Sequence, residues 1–182
     1  SSAASDVYKR QIPSRLDAQR LPNKPLKLIN NKEMILHVYE AAKKSNAGEV
    51  YVATPDKAIF ELVSNYGGKA VLSSETHNTG TDRIFEVFKN TLKSSPNIIV
   101  NLQGDMPNIE PKIIKNLINY MQQGKCEVGT LASEIKNNFE LEDENIVKVL
   151  VKEKLKEGIF SEALDFLRVN PGQNHKTYHH VG

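Results

Sequence analysis

Arg15, Arg20 and Lys24 stand within ten residues of one another, in the stretch Ile12-Pro-Ser-Arg15-Leu-Asp-Ala-Gln-Arg20-Leu-Pro22-Asn-Lys24-Pro25-Leu26. A guanidinium is permanently charged and offers a planar fork of donors that matches phosphate oxygens, and an ammonium adds a compact point charge. Pro22 and Pro25 fix φ on either side of Lys24, so the loop loses less entropy when it orders around a ligand. An anion with several oxygens, such as a nucleotide triphosphate, is the natural partner. The bland alternative is a solvated basic loop.

Two further groups of residues carry chemistry. In His77-Asn-Thr-Gly80-Thr81-Asp82-Arg83, Gly80 lets the backbone approach a ligand, and a helix starting near Thr81 points free N–H groups outward. Helix capping alone would use the same residues, with Thr79 or Thr81 as the cap and Asp82 favourable in the first turn. In Gln103-Gly104-Asp105, a lone carboxylate after a strand and a glycine can hold Mg²⁺ beside phosphate oxygens and water, or serve as a turn residue. Gln103 can both donate and accept toward a ligand. The run His175-Lys-Thr-Tyr-His179-His180 is too loosely spaced for zinc, with no Cys or carboxylate to complete a set. His180 fits better as an anion-binding or substrate-positioning group, and His37, on a helix, as a structural residue. No Ser-His-Asp or Cys-His pairing and no GxxxxGK[ST] loop is present.

These groups need elements to hold them. Apolar spacing predicts a helix over 34–45, a strand over 49–54 and a helix from Pro55-Asp56 to Tyr66, closed by Gly67-Gly68. A strand over 69–72, a helix from Thr81 to about Leu92 and a strongly buried strand over 97–102 follow. Pro111 to Gln123 is a helix, with Gly124 beyond its end. Val128–Ile135 and Ile146–Val151 read as strands, the second with Lys148 on its exposed side. Gly158–Phe160 is a candidate strand, and Phe166–Val169 is undecided. Alternating strands and helices argue an α/β, three-layer domain with a mostly parallel sheet and right-handed crossovers. The basic loop and the segments at 77–83 and 103–105 then all follow carboxyl ends of strands, where such sheets bind ligands.

Composition narrows the class. The chain has 182 residues, 39% apolar and 25% charged, with a formal charge of +2 and a single cysteine, Cys126. This is a globular composition, long enough for one domain with a real core. The charge is too small to argue for a nucleic-acid or membrane surface. The lone cysteine excludes an internal disulfide and fits a cytoplasmic setting. Residues 1–11 lack periodicity and read as a non-native leader that replaces the first strand, with a nucleotide-handling domain over 12–182 that is truncated at both ends.

The segments 12–15 and 20–26, 77–83, Asn101-Leu-Gln-Gly-Asp105, Asn145-Ile-Val-Lys-Val149 and His180-Val-Gly182 resemble, in order and separation, the 3-deoxy-manno-octulosonate cytidylyltransferases. These are the CMP-Kdo synthetases of lipopolysaccharide assembly. Sialic-acid cytidylyltransferases are similar in fold, but their phosphate loop is typically rich in Gly and Lys. The resemblance implies a Rossmann-like nucleotidyltransferase that moves CMP from CTP to Kdo and releases pyrophosphate with Mg²⁺. It implies that Arg15, Arg20 and Lys24 hold the triphosphate and that Gly80, Thr81, Asp82 and Arg83 help bind cytidine. It puts Gln103 and Asp105 near the α-phosphate, Asp105 on the metal, and Gln103 and His180 toward the sugar. It implies that Arg15, Lys24 and Asp105 are the catalytic set. It also implies a homodimer for the full-length protein.

The chain departs from the family pattern at two positions. Met106 stands where an acid is usual, and Glu162 follows Phe160-Ser161 where an Arg is usual. By the same resemblance, a C-terminal segment carrying a second metal-binding aspartate is expected to be absent from this chain. The alternatives are another acidic sugar, such as sialic acid or amino-Kdo, and an inactive nucleotide-binding fragment.

Overall fold

The computed structural model describes residues 8–14, 22–74, 77–91, 96–172 and 176–181. They fall into two compact units, Ser1–Gly124 and Lys125–Gly182, which the sequence reading carries within the single span 12–182.

The first unit is built on a parallel four-stranded sheet of order β5-β4-β1-β6, from β1 (Tyr8–Pro13), β4 (Glu49–Thr54), β5 (Ala70–Leu72) and β6 (Ile98–Asn101). β1 is central, paired with β4 on one side and β6 on the other. Tyr8–Gln11 of this strand come from the segment set apart as a leader. A ladder is made by main-chain groups, so any chain able to extend can occupy the position. A short hairpin, β2 (Leu28–Ile29) and β3 (Lys32–Glu33), turns through Asn30 and Asn31 at φ 50° and 62°. Asn tolerates these values better than other side-chain-bearing residues do.

Helices cover the sheet. α1 (Met34–Lys44), α2 (Lys57–Asn65) and α4 (Pro111–Met121) share one apolar core with β1 and β4, centred on Ile12, Ile35, Val52, Ile59, Ile114 and Ile118. α3 (Gly80–Thr91) returns the chain from β5 to β6 across β4 and β1, and its buried Ile84 and Val87 lie outside that cluster. A right-handed crossover in this direction puts α3 on the opposite face, which gives the three layers. The expected stop at Gly67-Gly68 is a Schellman closure: Gly67, at φ 78°, bonds to the Ser64 carbonyl and Gly68 to that of Val63. β6 is less buried than its sequence suggests, with Ile99 39% exposed, because among the described residues only β1 pairs with it.

The second unit is an antiparallel sheet of order β7-β10-β8-β9, from β7 (Ala132–Ser133), β8 (Lys148–Val151), β9 (Ala163–Leu167) and β10 (Thr177–His180), with a one-turn helix α5 (Asn138–Glu142). The strand expected over 128–135 shrinks to two residues. Gly158–Phe160 is not a strand; Gly158 sits at φ 74°, and Ile159 bonds back to the Lys156 carbonyl. Lys148 is the main correction. Its side chain is fully buried, not exposed, and Nζ donates to the main-chain carbonyls of Asp143 at 2.6 Å and Arg168 at 2.9 Å. Hydrogen bonding on this scale is what lets a buried ammonium persist without a carboxylate. Among the described residues, no helix is long and apolar enough to cross a membrane.

Candidate functional site

Three chain crossings meet at the carboxyl edge of the parallel sheet. β1 ends at Pro13-Ser14, and Ser14 N–H still bonds to the Ala53 carbonyl of β4 at 3.0 Å. The chain after β6 turns through Gln103-Gly104-Asp105. Gly104 has no room for a side chain, since a Cβ would lie 3.0 Å from the Pro13 carbonyl oxygen. Gly80, the first residue of α3, is similarly close: a Cβ would lie 3.0 Å from the Pro13 ring. The two glycines therefore do here what glycine does best, allowing backbones to touch.

These crossings line an open cleft of about 310 Å³ with Lys24, Pro25, His77, Thr79 and Arg83. The volume is at the lower end for small-molecule sites. Lys24 begins a single 3₁₀ turn, Lys24–Leu26, entered from Asn23 at φ 57° and pinned by the buried ring of Pro25. From there Lys24 Nζ reaches Asp105 Oδ2 at 2.7 Å, joining residues 81 apart in sequence. Both ends are partly open to solvent, so the pair contributes little to stability. It leaves a cation and a carboxylate ready to take other partners.

The start of α3 resolves the open question about capping. Thr79 is the cap: its Oγ1 accepts from Asp82 N–H at 3.1 Å, while Asp82 Oδ2 accepts from Thr79 N–H at 3.2 Å and from Thr79 Oγ1 at 2.6 Å. This is a capping box with Asp in the usual Glu position. Thr81 accepts from the Asn101 amide at 3.3 Å. Neither Thr81 nor Asp82 lines the cleft, whereas Gly80 and Arg83 do. Arg83 is only 3% exposed, and its guanidinium donates to Ser73 Oγ and to the Ser74 carbonyl, bracing the chain after β5.

Sequence reasoning did not single out His77 or Ser14 as site residues. His77 Nε2 is held between Glu86 Oε2 and Ser74 Oγ. The His77 hydrogen bond, with help from the Ser74 N–H, keeps the Glu86 carboxyl below the usual range. Ser14 is 6% exposed, lines the cleft, and has an Oγ with no hydrogen-bond partner among the described residues. A small hydroxyl between a proline and an arginine carries no sequence signal of its own.

Of the other expected site residues, Gln103 and Asp105 line the cleft. Arg15, Arg20 and His175 lie outside the described residues. His180 belongs to the second unit, on β10, with Nε2 2.9 Å from Thr130 Oγ1 and its ring edge-on to Phe166 at 5.0 Å. Burial, and secondarily His179, pushes its pKa below the ordinary 6.5. Of the two departures from the family pattern, Glu162 lies 3.4 Å from Lys152, and the turn at Met106 is closed by Ile109 N–H on the Met106 carbonyl at 3.2 Å. Among the described residues no three His, Cys, Asp or Glu gather as a metal cage.

A family model described as cytidylyltransferase matches residues 12–181. The chain belongs to the cytidylyltransferase family. Several of its relatives are named 3-deoxy-manno-octulosonate cytidylyltransferases. One, from Thermodesulfovibrio yellowstonii, is 43% identical over 76% of this chain and 57% of its own length. An 8-amino-3,8-dideoxy-manno-octulosonate cytidylyltransferase from Shewanella pealeana is 37% identical over 94% of this chain and 71% of its own. The solved structure of a CMP:2-keto-3-deoxy-manno-octonic acid synthetase complexed with CTP is 35% identical, with a TM-score of 0.84, covering 96% of this chain and 71% of that one. The Rossmann-like nucleotidyltransferase fold expected from sequence is therefore the fold observed. The chain spans little more than half, 57%, of the Thermodesulfovibrio relative's length.

Proposed function

We propose that this cytidylyltransferase chain transfers CMP from CTP to Kdo, or to a closely related acidic sugar, and releases pyrophosphate. The observation that carries the reading is the Lys24–Asp105 pair in a cleft at the carboxyl edge of a parallel sheet. A nucleotide triphosphate would replace that internal pair: Lys24 would take phosphate oxygens, and Asp105 is the residue that would hold an accompanying metal.

Mg²⁺ fits the donor set. It favours oxygen ligands and is commonly bound through one or two carboxylates plus substrate phosphates and water. Asp105 is the one carboxylate among the described lining residues, half-exposed, with the Gln103 amide nearby in the same wall. When bound, the ion neutralises charge on phosphate oxygens and lowers the barrier to displacement at phosphorus.

The remaining work is positioning. The anomeric hydroxyl of the sugar attacks the α-phosphorus and loses its proton. The bond to the bridging oxygen breaks, and pyrophosphate leaves with that electron pair. Lys24 meets charge that builds on the leaving oxygens, and Arg15 and Arg20 extend the same loop's cationic field. The Gly80 turn approaches the nucleoside, while Gln103 and Asp105 face the reacting phosphate. Arg83 and Asp82 hold the Gly80 turn in shape. His180 is assigned to the sugar by the family resemblance alone. The same reading puts the protein in the cytoplasm and, at full length, in a homodimer.

A second sugar is supported by one specific pair of observations. The Shewanella relative is named for the 8-amino sugar, and Glu162 offers a carboxylate where the family pattern has a cation. Pyrophosphate release from CTP and Mg²⁺, with Kdo, the 8-amino sugar and sialic acid as parallel acceptors, tests both readings. Release with Kdo alone supports the first, and release with the amino sugar in preference supports the second. CTP binding without release from any acceptor reduces the chain to a nucleotide-binding fragment.

A further inference from the structure

Ser14 combines two properties that rarely coexist without a ligand. It lies at the end of the central strand, on the wall of the cleft, and its side chain is more than nine-tenths buried. Its Oγ has no hydrogen-bond partner among the described residues. A buried unsatisfied hydroxyl is unfavourable in a folded protein, and a methyl group would remove the problem. Where a chain carries such a group at a ligand site, the missing partner is expected on the ligand.

The surroundings say which part of the ligand that is. Lys24 and Asp105 form the charged side of the cleft. At the start of α3 the Asp82 carboxylate already occupies the Thr79 N–H, and the Arg83 guanidinium, which lines the cleft there, already donates to Ser73 and Ser74, so that end is committed to internal partners. Ser14 follows Pro13, whose ring would lie 3.0 Å from a Cβ at Gly80 and whose carbonyl oxygen would lie 3.0 Å from one at Gly104; that second Cβ would also lie 3.6 Å from Ser14 Cβ. A neutral hydroxyl, able to donate and accept, suits a base edge or a ribose hydroxyl better than a phosphate.

We infer that the Ser14 hydroxyl hydrogen-bonds the nucleoside portion of the bound nucleotide, so that the chain accepts an unpaired buried polar group when empty in return for selectivity when loaded. The inference rests on the proposed nucleotide site. Its signature is two effects of opposite sign from one substitution. Ser14→Ala leaves the thermal midpoint of the ligand-free chain unchanged or raises it. The same change weakens CTP and CMP binding, measured by titration calorimetry with Mg²⁺, by roughly five- to tenfold, the loss of one hydrogen bond. Pyrophosphate, which lacks the nucleoside, binds both chains equally.

Unchanged affinity for CTP and CMP overturns the inference, as does an equal loss for pyrophosphate. A lower ligand-free midpoint with unchanged affinity identifies the hydroxyl as purely structural. Should the alanine variant fail to fold, Ser14→Cys keeps the volume, weakens the hydrogen bond, and is held to the same pattern. Failure of the parent chain to bind CTP at all overturns both this inference and the proposed function, whereas tight parental binding with an indifferent Ser14→Ala overturns this one alone.

Discussion

The two units of this chain treat polar groups in opposite ways. The first has a continuous apolar core spanning two strands and three helices, and it can carry an orphaned hydroxyl at Ser14 and a half-exposed Lys24–Asp105 pair at its rim. The second has Val149, Val151 and Tyr178 as its buried apolar cluster and places Lys148 at zero exposure in the same sheet. There the charge is satisfied: two carbonyls from separate loops, at Asp143 and Arg168, close around it. A deep core gives a fold freedom to leave chemistry unpaired where a ligand will come. A thin core makes its polar bonds part of the scaffold.

Substitutions can break this contrast. The largest effect belongs to Lys24→Ala, which removes a charge-stabilising donor from the proposed site. Pyrophosphate release should fall by about two orders of magnitude, ~3 kcal/mol in the barrier, with little change in thermal midpoint. Equal turnover in mutant and parent would remove Lys24 from the chemistry. Next comes Lys148→Met. It leaves two carbonyls unpaired and should destabilise the second unit by about 1–3 kcal/mol. Hydrogen exchange should quicken across Lys148–Val151 while the amides of β4 stay protected; quickening in both units, or in neither, would refute the contrast. Thr79→Ala should cost about 1 kcal/mol by removing the cap of α3, read as a lower denaturation midpoint.

Acid sharpens the comparison with a smaller effect. In the first unit, hydrogen bonds from Lys32 and Tyr66 lower the Glu40 pKa from 4.5 to about 2. A depressed carboxyl pKa stabilises the fold above the unfolded value, and that contribution is lost as pH falls from about 4.5 toward about 2. In the second unit, His180 is also depressed, from 6.5, but through burial of its neutral ring. Protonation then favours the unfolded chain, so its contribution is complete above pH 6.5 and declines as pH falls below that value. Residue-resolved melting across pH should show the second unit weakening first. Glu40→Gln should flatten the first unit's acid response, and His180→Gln the second's. Coincident transitions unaffected by either change would count against separate control.

Much of the first unit was legible because its signals are local and redundant. Gly67-Gly68 marked the end of a helix, Pro111 and Gly124 bracketed another, and the run over 49–54 needed no context. The second unit was harder to read. Its strands are short, β9 is exposed along most of its length, and Lys148 looks like an outward residue by alternation alone. Its burial depends on carbonyls from residues 5 and 20 positions away, which no periodicity encodes. At the site, the pairing of Lys24 with Asp105 could be suspected from strand order. The division of labour at 79–83 could not, since capping and ligand contact use the same residue types. Ser14 was invisible, because what marks it is the lack of a partner.

The central place of β1 has a consequence for how the chain is made. Among the described strands β1 is synthesised before its partners, yet one neighbour begins at Glu49 and the other only at Ile98. Until the latter leaves the ribosome, one row of main-chain donors and acceptors on the oldest strand has no mate, a state open to wrong pairing with other nascent chains. Closure of the sheet, and with it the approach of the aspartate to the lysine, is a late, long-range event with a large loop-closure cost.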